Sequence, residues 1–380
     1  MNAQYIDSNA ALNKFCTQLE HSSWLAIDSE FIREKTYYPE LALIQIANND
    51  HIACIDPYKI DQFSALIELF NNPDIVKIFH SPSQDLELFA HFFSAVPQNI
   101  FDTQLAASLL GIGNQIGYAD LVNKLCNVQL DKKHTRTDWS RRPLSESELD
   151  YALDDVRYLG DIYQQLTQRL IETQRLEWLK ADFAALSDIN HYQIQWSSLW
   201  QKVKGNQKIK GRDLHYADQL CQWREKRAQH KNLPKRWIIK DEDIIDIARL
   251  NPQKIEDFKA IRTLKEGFIN HQGKQIINLF KQADEIAEEE WPKHEKFKTL
   301  SVNQQTKADC LMAICKKLAT QNDMAQATLT SKKDIDQLVL GKTSKLNEGW
   351  RFEMAGDTCN KFLRGELNIH IDKEGILQLI

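Results

Sequence analysis

The chain has 380 residues, a length that suggests two or three domains. Its residues are 42% hydrophobic and 27% charged, which is typical of globular proteins. It has no apolar run of the roughly 18–20 residues that cross a bilayer, and no secretory signal pattern. We therefore predict neither a membrane protein nor a secreted one. The seven cysteines are scattered without a CxxC pair. This favours reduced thiols, no zinc knuckle and a cytoplasmic location.

Charge is distributed unevenly, although the net charge of the whole chain is only −5. Residues 1–200 contain 15 Lys and Arg against 27 Asp and Glu, a net charge of −12. Residues 201–380 contain 33 against 26, a net charge of +7, and the stretch 201–283 alone has +9. The total taken alone would argue against a nucleic-acid partner, whereas a basic block behind an acidic half is compatible with one.

The first 180 or so residues alternate strand and helix patterns. Three short β-rich runs at 24–30, 41–47 and 51–56 have tight connections and predict an antiparallel meander. The later elements are a strand at 75–79 and helices near 61–70, 83–93, 103–110 and 145–173. A meander followed by βα units predicts an α/β domain with a mixed sheet flanked by helices.

Helical periodicity dominates from about residue 190 onward. We predict the first domain over 1–190, a connector over 191–209, and two small all-α domains over 210–290 and 291–380. A weak gapless repeat relates the two helical domains. Ala228, Asp243 and Ile244 correspond, 91 positions later, to Ala319, Asp334 and Ile335.

Asp28 and Glu30, at the end of the apolar strand 24–30, are the first candidates for chemistry. Side chains alternate along a strand, so both carboxylates point to the same face. Two neighbouring carboxylates stay ionised together when a cation lies between them, and hard divalent cations prefer oxygen ligands. Two solvated acids at a strand end would have the same pattern, so the pair needs further ligands to indicate a metal site.

Asp85 and the helical pattern Tyr151-Ala-Leu-Asp-Asp155 supply such ligands. Asp85 stands at the start of a predicted helix behind a second strand, where an acid also serves as an ordinary cap. Tyr151 and Asp155 are neighbours on a helix surface, and a phenol beside a carboxylate can place and polarise a water. Four carboxylates and a tyrosine together indicate two cations, roughly 3.5–4 Å apart, for in-line phosphoryl displacement.

A basic loop over 131–144 separates Asp85 from Tyr151 in the sequence. It surrounds one tryptophan with lysines and arginines, which suits phosphate neutralisation and base stacking in an otherwise acidic domain. A solvated loop would have the same composition. The candidate substrate-binding residues of this loop are His134, Trp139, Arg141 and Arg142.

The three acidic motifs closely resemble the exonuclease motifs of the DEDD superfamily, tyrosine subclass. The segments TYYPELALIQIA (36–47) and TDWSRRPLSESELDYALDDVRYL (137–159) are similar to the bacterial ribonuclease D family. The segment WREKRAQHKNLPKRWIIKDEDIIDIA (223–248) resembles the HRDC domain, and the repeat near 311–340 resembles a second, diverged copy. The resemblance implies an α/β RNase H-like exonuclease domain followed by two small all-α HRDC-like domains.

By position, the resemblance implies a set of metal-binding carboxylates, namely Asp28, Glu30, Asp85 and Asp155. It makes Tyr151 the residue that orients the attacking water. Asp154 is the competing ligand, and the spacing from Tyr151 favours Asp155. The resemblance further implies two Mg²⁺ or Mn²⁺ ions per site and 3′→5′ hydrolysis of RNA, releasing 5′-mononucleotides, with tRNA precursors as substrates.

Under this interpretation the basic block binds the RNA. Its predicted binding residues are Lys226, Arg227, Lys231, Lys235, Arg236 and Trp237, although the tryptophan could equally belong to the helical core. A DNA-directed 3′→5′ exonuclease would use the same metal chemistry, and a non-catalytic adaptor could bind nucleic acid with the same block. The 137–159 segment and the complete carboxylate set favour the RNA enzyme. We expect a monomer with no obligate protein partner.

Overall fold

The computed structural model describes residues 3–131, 137–294 and 299–380. The strands of its main sheet are β1 (Ala3–Ile6), β2 (Trp24–Ile32), β3 (Glu40–Ala47), β4 (Ile52–Ile55), β5 (Val76–Phe79) and β6 (Ile100–Asp102). They lie in the order β1-β4-β3-β2-β5-β6. β3 and β4 pair antiparallel, whereas β1 with β4, β2 with β5, and β5 with β6 pair in parallel. The predicted mixed sheet is confirmed.

The helices of this domain lie between these strands in the sequence and after the last of them. They are α1 (Asn9–Leu19), α2 (Ser64–Asn71), α3 (Ser83–Phe92), α4 (Thr103–Leu109), α5 (Tyr118–Cys126), α6 (Glu146–Arg157), α7 (Leu159–Glu172) and α8 (Lys180–Leu186). The helix predicted over 145–173 is two helices, because the chain leaves helical geometry at Tyr158 (φ −104°, ψ −5°). β1, α1 and α5 are absent from the sequence-based prediction. Within the described ranges, no helix is long and apolar enough to cross a membrane.

Different helices cover the two faces of the sheet. Leu25 and Ile27 of β2 belong to a core shared with α1, α2 and α3. Trp24 and Ala26, the alternate residues, belong to a second core shared with α6 and the start of α7. Gly160 of α7 lies so close to Trp24 that a Cβ there would come within 2.2 Å of the indole. This close approach holds the α6–α7 pair over the even-numbered face of β2.

Residues 32–40 and 193–294 form a separate compact unit. Its helices are α9 (Arg212–Lys231), α10 (Lys235–Ile238), α11 (Asp241–Leu250) and α12 (Glu266–Ala283). α9 ends at Asn232, which adopts the left-handed conformation (φ 46°) common at helix C-termini. The Asn232 side chain accepts hydrogen bonds from the backbone nitrogens of Tyr37, at 3.1 Å, and Tyr38, at 3.2 Å. Segment 32–40 thereby belongs to this unit.

The C-terminal helices repeat this arrangement. They are α13 (Val302–Gln321), α14 (Gln326–Leu329), α15 (Lys332–Val339), α16 (Gly349–Arg351) and α17 (Asp357–Arg364), followed by the antiparallel strands β7 (Ile369–Ile371) and β8 (Leu377–Leu379). α14, α15 and α17 begin 91 positions after α10, α11 and α12. Ala228 and Ala319 are both buried, as are Ile244 and Ile335. These correspondences support two related copies of one helical fold.

The second copy does not stand apart from the α/β domain. Residues 299–380 belong to the same compact unit as the main sheet, and their core is continuous with that of α4, α5 and α7. Trp178 and Trp350 stack with ring centroids 5.1 Å apart. The Arg175 guanidinium donates to the carbonyl oxygens of Leu109 and Asn322. The domain expected over 291–380 therefore shares its core with the first domain.

Candidate active site

Three carboxylates meet where β2 passes under α6. Asp28 and Glu30 continue the even-numbered row of β2 and thus lie on the face covered by α6, which carries Asp155. One carboxylate oxygen from each of the three lies within 4.8 Å of the others. Oxygen donors at this spacing are a ligand set for a hard divalent cation. The structure thus brings together both acids of the strand and one acid of the helix.

α6 is fixed at its start by a capping box. The Ser145 hydroxyl accepts a hydrogen bond from the backbone nitrogen of Glu148, whose carboxylate accepts one from the Ser145 nitrogen at 2.8 Å. Tyr151 and Asp155 follow one turn apart on the same side of the helix. Asp154 instead forms an ion pair with Arg157. Asp155, and not its neighbour Asp154, therefore joins the carboxylate cluster.

Asp85 reaches this centre from the opposite face of the sheet. It lies in the first turn of α3, a helix that packs in the core on the odd-numbered face of β2. Its carboxylate accepts a hydrogen bond of 2.5 Å from the hydroxyl of Ser29, the residue between Asp28 and Glu30. Asp85 is only 8% exposed. Ser29 thus links the second acidic motif directly to the first.

The four carboxyl groups oppose one another's ionisation. Burial, followed by the charges of Asp85, Asp155 and Glu30, raises the pKa of Asp28. Burial and then the charge of Asp155 raise the pKa of Glu30 to about 8. Burial is also the main reason that the pKa of Asp155 is raised to about 7 and that of Asp85 to about 6. A cluster of this kind is stabilised as carboxylates when cations bind between its members.

Tyr151 stands beside the cluster with its ring held by Trp139. The two rings stack with centroids 6.4 Å apart and an interplanar angle of 27°. Burial, followed by the charge of Asp155, raises the pKa of Tyr151 to about 12, so its hydroxyl is protonated at neutral pH. Trp139 is 6% exposed and belongs to the core under α6. Its predicted role in base stacking is wrong, because its ring faces are covered by the protein.

Arg142 is also part of the fold. Its guanidinium donates to both carboxylate oxygens of Asp56, at 2.8 and 2.9 Å, and to the carbonyl oxygens of Ala42 and Trp139. With these donors occupied, Arg142 is not an RNA-binding residue, and that prediction is corrected. Arg141 donates to Glu148 but leaves 60% of its side chain exposed. His134, the remaining candidate of this loop, lies outside the described residues.

The candidates of the helical unit are mostly at its surface. Lys226 lies over the Trp196 ring at 5.6 Å, and Arg227 lies over the Trp223 ring at 5.7 Å. Lys235 pairs with the buried Glu225 at 3.2 Å and lies over the Tyr37 ring, so it also helps to hold segment 32–40. Lys226, Lys231, Arg236 and Trp237 are exposed. Trp237 is 61% exposed and is therefore not a core residue.

Tyr118 borders the acidic centre, although sequence reasoning does not single it out. Its hydroxyl donates to the carbonyl oxygen of Asp154 at 2.7 Å. Burial and then the charge of Asp155 raise its pKa well above its usual range. His80 packs against the Tyr118 ring, and burial lowers the pKa of His80 to about 4, so the imidazole is neutral. No spacing in the sequence indicates these contacts, because they depend on how α5 folds back onto α6.

Comparison with known protein families identifies both parts of the chain. Residues 3–171 match the 3′-5′ exonuclease family, and residues 213–279 match the HRDC domain. The expected exonuclease fold and the first HRDC domain are therefore confirmed.

Relatives extend over nearly the whole chain. Ribonuclease D of Bartonella henselae is 35% identical over 93% of this chain and 88% of that protein. Ribonuclease D of Sphingobium indicum is 35% identical over 98% and 97%, respectively. The crystal structure of Escherichia coli RNase D, an exoribonuclease involved in structured RNA processing, is similar with a TM-score of 0.85 at 28% identity, covering 96% of this chain and 99% of that chain. The chain therefore belongs to the ribonuclease D family of 3′→5′ exoribonucleases.

Proposed function

We propose that this exoribonuclease trims the 3′ ends of tRNA precursors and releases 5′-mononucleotides with two divalent cations at its acidic centre. The observation that carries the proposal is the convergence of Asp28, Glu30 and Asp155, with Asp85 held beside them by Ser29. Mg²⁺ and Mn²⁺ both suit an all-carboxylate donor set. We further propose that the protein acts as a monomer in the cytoplasm.

The four carboxylates would hold the cations. The charges of all three other acids act on Asp28, so Asp28 would be one of the carboxylates that hold the cations. When bound, such ions activate the attacking water and stabilise the leaving 3′ oxygen. The donor set contains no thiol or imidazole among its members, which disfavours a zinc site of the usual kind.

Tyr151 would orient the attacking water. Its hydroxyl stays protonated, so it can both donate and accept a hydrogen bond, and Trp139 restricts the direction in which the ring points. Asp155 lies one helical turn further along and would accept a second hydrogen bond. A water held by two fixed groups is oriented for in-line attack, and such orientation is a large part of catalysis.

The exposed cations of the helical unit would bind the RNA backbone. Lys226 and the half-buried Arg227 lie on α9, and Arg236 lies on α10 next to the exposed Trp237 in the sequence. Lysine and arginine contacts to phosphates supply affinity without reading sequence, and an exposed aromatic ring can stack on an unpaired base. In the exonuclease domain Arg141, whose side chain is 60% exposed, would take the corresponding role.

A degradation assay with matched RNA and DNA tests this function. Substrates of one sequence, labelled at the 5′ end, are incubated with the full chain in Mg²⁺, in Mn²⁺ or in EDTA. We expect stepwise shortening of RNA from its 3′ end, release of 5′-mononucleotides, faster turnover of RNA than of DNA, and no reaction in EDTA. A tRNA precursor with a 3′ extension should be shortened and then spared at its mature end.

Two variants make the assay specific for the acidic centre. Asp28→Asn should lower the rate at least about a thousand-fold, since the charge stabilisation supplied by bound cations amounts to several kcal/mol. Asp150→Asn is the matched control, because Asp150 is an exposed acid on α6, the helix of Asp155, and pairs with Arg157 outside the cluster. Wild-type activity of Asp28→Asn would contradict the metal site, and a preference for DNA would favour the DNA-directed alternative.

A further inference from the structure

Gln45 is a polar side chain in the middle of the buried strand β3. Its neighbours on the same face, Leu43 and Ala47, are apolar, and Gln45 itself has 0% exposure. Neither its Nε2 nor its Oε1 has a hydrogen-bond partner in the part of the chain that the structure describes. A buried amide without partners is less favourable than an apolar side chain of similar size. Stability of the fold therefore does not explain why this position is polar.

The register of the sheet places Gln45 on the face that carries the acidic centre. Gln45 pairs across the strands with Cys54 of β4, so both side chains point to the same side. Cys54 belongs to the core under α6, and its Sγ lies 4.0 Å from the carbonyl oxygen of Leu149 on that helix. On its other edge β3 lies beside β2, the strand of Asp28 and Glu30. Gln45 thus lies on the face of the sheet that α6 covers, in the strand next to β2.

Glu30 is the acid whose charge acts on Cys54, the residue opposite Gln45. After burial, the charge of Glu30 is the cause that raises the pKa of Cys54, to about 12. Cys54 stands directly opposite Gln45 in the register. Glu30 belongs to the even-numbered row of β2, on the face of the sheet to which Gln45 also points.

We propose that Gln45 is a positioning residue for Glu30: its Nε2 donates a hydrogen bond to one buried water, and that water holds the Glu30 carboxylate in the orientation needed to bind a cation. The inference rests on the metal role proposed above for Glu30. A donor behind a ligating carboxylate restricts its rotation and leaves its outward oxygen for the ion. Such supporting groups typically change metal affinity or activity by about 10–100-fold when they are removed.

The test replaces Gln45 with an apolar side chain of similar length and keeps the rest of the protein intact. In Gln45→Met we expect the Tm of the metal-free protein, measured in EDTA, to be equal to or higher than that of the wild type. We expect the Kd for Mn²⁺, measured by calorimetry on the full chain, to weaken by about ten-fold. On 5′-labelled RNA, kcat should fall by about ten-fold while KM stays within about two-fold. Gln45→Glu, which keeps the length but repels Glu30, should be worse than Gln45→Met in both Kd and kcat.

The control is Ile46→Val, which lies one residue along β3 on the opposite face and is also fully buried. It should lower Tm slightly without changing the Kd for Mn²⁺. Wild-type Kd and kcat in Gln45→Met would overturn the proposal. A loss of Tm and of kcat in Gln45→Met, with Mn²⁺ affinity unchanged, would also overturn it, because it would assign Gln45 a purely structural role. A wild-type chain that binds no Mn²⁺ would overturn the metal role itself, and that outcome is seen before any variant is made.

Discussion

The hydroxyl of Ser29 donates a hydrogen bond of 2.5 Å to the carboxylate of Asp85. The two residues are far apart in sequence and lie on different elements, β2 and α3. Ser29 points to the odd-numbered face of β2, away from the face of Asp28 and Glu30. The bond therefore fixes the fourth acid relative to the strand that carries Asp28 and Glu30.

Removal of this hydroxyl should affect catalysis more than folding. In Ser29→Ala the Asp85 carboxylate loses a donor that lowers its pKa, so its pKa should rise further above the usual range. We expect single-turnover cleavage of RNA to slow by about 10–100-fold, as is typical when a group that supports a metal ligand is lost. Ser22→Ala, which removes a hydroxyl bonded to Asn48 at the other end of β2, is the control. Equal rates for Ser29→Ala and the wild type would contradict the role of this bond.

The carboxylate cluster should make the metal-free protein more stable at acidic than at alkaline pH. The folded-state pKa values of Asp85 (about 6), Asp155 (about 7) and Glu30 (about 8) lie above the unfolded values of about 4. The folded protein therefore holds more protons than the unfolded chain between about pH 4 and 8, so stability falls as pH rises through that window. We expect Tm in EDTA to decline from pH 5 to pH 8.5, and excess Mg²⁺ to restore most of the loss at the alkaline end. The same pH dependence with and without Mg²⁺ would argue against metal binding by these acids.

Neutralising one acid should stabilise the metal-free protein while abolishing its activity. Asp28 is repelled by Asp85, Asp155 and Glu30, and Asn removes that repulsion without changing the size of the side chain. At pH 8 in EDTA we expect the Tm of Asp28→Asn to exceed that of the wild type by roughly 1–2 °C, which corresponds to about 1 kcal/mol because the unfolding entropy grows with chain length. Calorimetric scans of both proteins, with Asp150→Asn as the control, measure the difference. A lower Tm for Asp28→Asn would mean that the cluster is held by hydrogen bonds rather than strained by repulsion.

Substitution of Arg142 and of Arg141 should distinguish an arginine that stabilises the fold from one that binds RNA. Arg142 pairs with Asp56, which is 1% exposed, so Arg142→Ala leaves a buried carboxylate without its main partner and should cost about 3 kcal/mol or more in urea unfolding. Arg141 is largely exposed, and Arg141→Ala should change stability by less than about 1 kcal/mol while raising KM for RNA. Equal stability of the two variants would contradict the assignment of Arg142 to the fold.

Sequence patterns predict the proposed metal ligands well where the spacing along one strand or helix determines which side chains are neighbours. The alternation of β2 places Asp28 with Glu30, and the helical spacing of α6 separates Asp155 from Asp154. The pattern Leu12, Phe15, Cys16 and Leu19 behind Ser8 also marks α1, so that helix is readable from the sequence although the prediction omits it. The three-residue to four-residue strands at the sheet edges give no comparable signal.

The other features around the acidic centre depend on tertiary contacts between elements that are far apart in the sequence. Trp139 and Arg142 belong to a basic loop whose composition predicts a binding surface. In the structure Trp139 packs in the core under α6, and Arg142 binds the carboxylate of Asp56. Tyr118 and Gln45 reach the acidic centre only through the packing of α5 and the register of β3. Composition cannot distinguish an exposed arginine from a buried one, because the partner lies far away in the sequence.

Point substitutions should test RNA binding by the helical unit better than truncation. Removal of residues 201–380 would also remove α13–α17, whose core is continuous with that of α4, α5 and α7, and would expose that core. We instead expect the triple variant Lys226→Ala, Arg227→Ala, Arg236→Ala to raise KM for RNA at least about ten-fold with kcat within about two-fold. If each side chain contacts one phosphate, the slope of log K against log salt should become shallower by about 2.

The matched control replaces three exposed lysines of α12 and its N-cap with alanine, and so removes the same charge. These residues are Lys265, Lys274 and Lys281. If net charge alone attracted RNA, both triple variants would weaken binding equally and would show the same salt dependence. A contact surface on α9 and α10 predicts a clear loss for the first triple variant and a small loss for the second, because phosphate contacts are short-range while the general field is screened over about 8–10 Å. Titration of labelled RNA at several salt concentrations distinguishes the two, and equal slopes would assign the basic block a role in attraction only.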